Sequence, residues 1–94
     1  MANVDHWSTS WVSTEGNDML PGEAHDWWAV GFHEFASISV TAYPIIGAPE
    51  ERILEVDNVR VQGTSDGWTL LFTVRNVGSG SEVGYIVEFG EIYD

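Results

Sequence analysis

Cysteine is absent from the 94-residue chain, which removes disulfide frameworks, thiolate metal sites and thiol nucleophiles together and leaves the redox compartment undetermined. Lysine is absent too: Arg52, Arg60 and Arg75 alone stand against 15 acidic residues, for a formal net charge of -12. Counterion-release binding needs several cations on one face, and an anionic lipid surface would repel this chain as DNA would, so direct nucleic-acid binding and membrane binding are not expected. No run approaches the ~18 apolar residues of a spanning helix. Met1-Ala2-Asn3-Val4-Asp5 has neither the basic start nor the apolar stretch of an export signal, so the compartment is unknown and the expectation is cytoplasmic by default. Helix formers are scarce, Gly and Ser are frequent, and apolar residues recur at period two rather than at a helical period.

What is present is apolar and aromatic, 44% and 13% of the chain, enough to offset chain entropy, so residues 1–94 should fold as one domain. Breaks at residues 14–18, 20–22, 44–51, 63–67 and 78–81 separate six strand-length segments, a spacing that suits an all-β sandwich. In residues 5–13, Trp7, Thr9 and Trp11 alternate with His6, Ser8 and Ser10, and the indole face should point inward. In residues 25–33, Trp28, Val30 and Phe32 share one side, expected to be core, with His25, Trp27, Ala29 and His33 on the other. Residues 37–43 alternate Ile38, Val40 and Ala42 with Ser39, Thr41 and Tyr43, as a half-buried antiparallel strand does. Leu54 and Val56 lie on one parity and Val59 and Val61 on the other, so a bulge or a crossing between sheets is expected near Asp57-Asn58. Residues 68–76 bury Trp68, Leu70, Phe72 and Val74 and leave Leu71 on the wet side. Residues 83–93 place Val83, Tyr85, Val87, Phe89 and Tyr93 on one face and Ile86, Glu88 and Ile92 on the other.

The stretch Leu70-Leu71-Phe72-Thr73-Val74-Arg75-Asn76-Val77-Gly78-Ser79 resembles the second strand of bacterial immunoglobulin-like domains of the CARDB type, a family named for cell-adhesion-related domains. In that family a strand and a short loop precede the motif, as residues 54–67 would, and the strand that follows looks like residues 83–92. Leu20-Pro21-Gly22-Glu23, with residues 25–32 and 37–43, is similar to the Pro-Gly-Glu turn and alternating strands that normally finish such a domain. Their upstream position implies a circular permutation joined across residues 44–52, which surface termini lying near each other would permit. The resemblance implies an antiparallel immunoglobulin-like, fibronectin-III-like β-sandwich of about six to seven strands. It also implies a spacer, adhesion or binding unit without catalysis, and it carries over no ligand residue.

His25 and His33 share a parity but sit eight residues apart, about 26 Å at strand rise and beyond the reach of one ion. His33 with Glu34, or symmetry copies of His25 or His6, would be the remaining metal routes; no His-x-His or His-Glu-x-x-His spacing exists, so neither metal nor cofactor is expected. Asp57-Asn58 and Asp66 lack the ligand density of a calcium loop, and the absence of any nucleophile-base motif points away from an enzyme. Trp27, on the outward parity between His25 and His33, would stack on a sugar ring or anchor a subunit contact, unless its strand is buried on both sides. Leu71, Ile86 and Ile92 would make a wet face sticky enough to favour a homo-oligomer. The candidate contacts are therefore Trp27, His25, His33, Leu71, Ile86 and Ile92, and the expected role is a non-catalytic, self-associating binding or assembly module. The alternatives are a small lectin-like protein with a glycan or protein partner, and an acidic inhibitor of a basic or nucleic-acid-binding partner presenting Glu50, Glu51, Glu55, Asp57, Glu88 and Glu91. Salt adaptation or plain solubility also accounts for the acidity.

Overall fold

The alternation at period two becomes six antiparallel strands: β1 (Asn3–Trp11), β2 (Ala24–Ala29), β3 (Ser37–Pro44), β4 (Leu54–Thr64), β5 (Gly67–Asn76) and β6 (Tyr85–Tyr93). They form two three-stranded sheets, ordered β1-β6-β3 and β2-β5-β4, with no helix among the described residues. The computed structural model describes residues 3–11, 19–44, 53–65, 67–78 and 84–94. The expectations for the Thr9, Ser10 and Trp11 side chains, for Val83, Asp66, Glu50, Glu51 and Arg52, and for the join across residues 45–52 concern groups outside the described residues.

The central strands, β5 and β6, supply most of the core. Leu70, Phe72 and Val74 from one sheet and Tyr85, Val87 and Phe89 from the other are each at most 3% exposed. Phe72 meets Phe89 edge-on at 5.7 Å, and Trp7 stacks on Phe89 at 5.7 Å, inward as its alternation required. Fully burying a ring such as Phe72 contributes about 1.5–3 kcal/mol, so these six residues dominate the apolar stabilisation. Met19, fully buried, comes from outside the strands, and the Asn76 amide donates to its carbonyl at 3.0 Å. The Leu20-Pro21-Gly22-Glu23 turn closes with Glu23 N–H on the Leu20 carbonyl at 2.9 Å. Pro presets φ at its second position, and Gly22 supplies the positive φ of 84° at its third.

The parity change in β4 is a bulge: pairing with β5 slips between Asp57 and Arg60, and Asn58 sits at φ 55°. An Asn side chain tolerates that left-handed backbone better than a β-branched one would. Leu54 and Val56 therefore face the core before the slip, and Val61 shares the face of Leu70 after it.

The second segment corrects the sequence expectation. β2 stops at Ala29 instead of reaching residue 33, and its register sets Trp27 opposite Phe72 and Trp28 opposite Leu71. Directly paired residues share a face, so Trp27 enters the core while Trp28, 72% exposed, and Val30, 65% exposed, turn to water. Gly31, at φ 95°, then resets the chain so that Phe32 packs inward between Trp7 and Phe89.

Candidate functional site

One end of the two layers is walled by aromatic rings. Residues between β2 and β3 form a β-turn in which Ala36 N–H donates to the His33 carbonyl at 3.1 Å. Phe35 occupies the third position of that turn at φ 61°, a left-handed conformation that costs a side chain about 1–2 kcal/mol. Its ring is 89% exposed and lies 6.2 Å from the Trp68 ring. Trp68 itself lies across Gly63, where an added Cβ would come within 2.7 Å of the indole, so glycine is what lets the ring lie flat against β4. Together with Phe32, Ile38, Val61, Leu70 and His33 these rings line a cleft of about 230 Å³.

Beside that cleft is a polar cluster. Glu91 points inward on β6 and is 2% exposed. The His33 backbone N–H donates to Glu91 Oε2 at 2.9 Å, and His33 Nδ1 lies 2.9 Å from Oε1. Asp5 on β1 is the direct cross-strand partner of Glu91, and Asp5, His33 and Glu91 each offer a donor atom within 4.8 Å of the others. The His33 imidazole stacks flat on Tyr93, with 3.5 Å between centroids and 5° between planes. The Tyr93 phenol is pushed above its ordinary value of 10.0, first by lost solvation, then by a hydrogen bond to Asp5 and by the charges of Asp5 and Glu91.

The opposite end holds a second network. Trp27 Nε1–H, which can only donate, reaches the Tyr85 hydroxyl at 2.8 Å, so that oxygen accepts. The same hydroxyl lies 2.7 Å from His25 Nδ1, and His25 Nε2 faces Glu23 at 3.4 Å. Trp27 also stacks on Phe72 at 6.2 Å and 6°. Burial pushes the Tyr85 phenol above 10.0, and the Trp27 hydrogen bond partly offsets that.

The six sequence candidates therefore do not form one patch. His25 and Trp27 belong to the Tyr85 network and His33 to the Glu91 cluster at the other end of β6. Leu71 lies on the outer face of the β2-β5-β4 sheet, whereas Ile86 and Ile92, the latter 51% exposed, lie on the outer face of the other sheet. Across the first outer face runs a row in which Trp28 and Arg60 pair with Leu71 from either side. Arg60 is steadied by donating to the Asn58 carbonyl of the bulge at 2.7 Å. Arg75 lies on the same face, 3.7 Å from Asp57. The acidic array does not assemble on one face among the described residues, since Glu55 and Asp57 belong to one sheet and Glu88 and the buried Glu91 to the other. Phe35 and the Asp5–Glu91 pairing escaped sequence reasoning. The available signal was an acid at an inward parity between Phe89 and Tyr93.

No family model, curated protein or solved structure matches the chain.

Proposed function

We propose that the chain is a non-catalytic binding or assembly module, an immunoglobulin-like sandwich related to the CARDB type by permutation, that pairs with a second copy of itself. The carrying observation is the Trp28–Leu71–Arg60 row. A twofold axis through Leu71 would set the Leu71 side chains against each other and bring each Trp28 indole onto the Arg60 of the other copy, as self-complementary pairing requires. Indole–guanidinium stacking favours this, and Trp and Arg are the residues that dominate interface centres. The face is nearly neutral as well, with Arg60 and Arg75 set among Asp26, Glu55 and Asp57, so the net charge of -12 does not concentrate where the copies would meet.

Sedimentation equilibrium at about 100 µM should give twice the 10.4 kDa of one chain, falling to a single chain in Trp28→Glu and in Arg60→Glu. A monomeric wild type, or a dimer indifferent to both substitutions, overturns the proposal.

A glycan-binding role is favoured by one separate observation, the strained and exposed Phe35 held beside Trp68. Trp27, on which that role first rested, faces the core, so the stacking platform would be the Phe35–Trp68 wall. A glycan array with no ligand sensitive to Phe35→Asn removes it.

A further inference from the structure

We propose that Asp5, His33 and Glu91 form a binding site for one divalent transition-metal cation of the kind that accepts imidazole and carboxylate oxygen together. The proposal does not rest on self-association. Asp5 and Glu91 stand directly opposite each other on β1 and β6, and Glu91 is almost wholly buried. Like charges so placed destabilise a sheet, and the buried Glu91 carboxylate, with exposed Asp5 opposite it, needs a cation close by. The described arginines, Arg60 and Arg75, belong to the other sheet, on β4 and β5. His33 is the one basic group that reaches the pair among the described residues, and it brings a ligand nitrogen as well as a possible charge.

The geometry fits coordination. Two adjacent ligands on an octahedral ion with bonds of about 2.1 Å stand about 3.0 Å apart. The 2.9 Å between His33 Nδ1 and Glu91 Oε1 meets that spacing. One imidazole and two carboxylates suit Zn²⁺, Co²⁺ or Mn²⁺ better than ions that take oxygen alone. The surrounding groups act as outer partners of a metal site do: the His33 backbone N–H holds Glu91 Oε2, and the Tyr93 ring fixes the imidazole plane.

The test uses the full chain, stripped of metal by chelator and titrated calorimetrically with Zn²⁺, with Co²⁺ absorption reporting on coordination. The expected result is saturable binding at one ion per chain. It should weaken at least tenfold in Asp5→Asn and in His33→Gln, keep its strength in His6→Gln, and resist competition by Ca²⁺. Asp5 is exposed on an edge strand, so Asp5→Asn should remain folded even if His33→Gln does not. Absence of saturable binding overturns the proposal. So does binding that survives Asp5→Asn, that disappears in His6→Gln, or that Ca²⁺ displaces as readily as Zn²⁺ does.

Discussion

Tyr85→Phe tests the placement of Trp27 most directly. The substitution leaves the buried ring in place and deletes one oxygen, which accepts from Trp27 Nε1 at 2.8 Å and pairs with His25 Nδ1 at 2.7 Å. Each hydrogen bond contributes about 0.5–1.5 kcal/mol net, so losing both should cost about 1–3 kcal/mol. For a chain of 94 residues, an unfolding entropy of about 2.1 cal/mol/K per residue makes that a fall in Tm of roughly 5–15 °C. Urea unfolding followed by circular dichroism and by tryptophan emission should show a lower midpoint with an unchanged slope, because the surface exposed on unfolding hardly changes. Tyr43→Phe, at a ring 55% exposed, is the control and should stay within about 0.5 kcal/mol of wild type. If Tyr85→Phe were equally silent, the network would not exist, and Trp27 would be the outward ring that alternation alone had placed there.

Phe35→Asn keeps a residue that tolerates the left-handed backbone at φ 61° while removing an exposed ring, so stability should hold or rise by up to about 1 kcal/mol. A clear fall in the unfolding midpoint would show that the ring serves the fold and not a ligand. Tyr85 and Tyr93 both have phenols raised above 10.0. Their contribution is fully present below that pH; above it the unfolded chain releases protons that the folded chain keeps, so stability should fall as pH climbs through the folded values. A urea midpoint flat from pH 9 to 11 would refute this, and Tyr85→Phe should flatten part of the slope. Self-association should strengthen as salt rises from about 0.01 to 0.15 M, whereas a charge-driven complex with a basic partner should weaken. Sedimentation at the two salt levels separates these outcomes.

Strand number and core were legible because period two is imposed by the pleat itself: Leu70, Phe72 and Val74, and Tyr85, Val87 and Phe89, could share a face in no other way. The β4 bulge was legible for the same reason, since Val56 and Val61 have opposite parities, yet Val56 packs on the core and Val61 pairs with the buried Leu70. The second segment failed because its two sides are nearly equal in apolar content and Gly31 reverses the alternation midway. Phe32 does point inward, but extending its parity back through the glycine carried Trp28 and Val30 with it, against their exposures of 72% and 65%. Asp26, on the same parity as Trp28, was the residue that marked the wet side. The site was less legible than the core, because it depends on pairings between distant segments. Asp5 meets Glu91 across β1 and β6, and His33 reaches them from the connection between β2 and β3. Local spacing cannot express such a juxtaposition, and no short histidine motif marks it.

The net charge and the apolar outer faces, opposed in composition, are reconciled by where the charges lie. Among the described residues, Asp26, Glu55 and Asp57 share one outer face with Arg60 and Arg75, and Glu88 on the other lies 2.8 Å from His6. Glu23 and Glu34 stand outside the strands, and Asp94 follows the last one. At physiological ionic strength the Debye length is about 8 Å, so carboxylates at the rims are screened from the centre of a sheet. They still bear on β1, β2, β3 and β4, the outer strands of the two sheets, where like charge opposes edge-to-edge pairing. On the proposed pairing, a nearly neutral face would close against its copy, while open-ended growth along the edges would meet repulsion at each added chain. In that pairing, the acidity would select the geometry of association without preventing it.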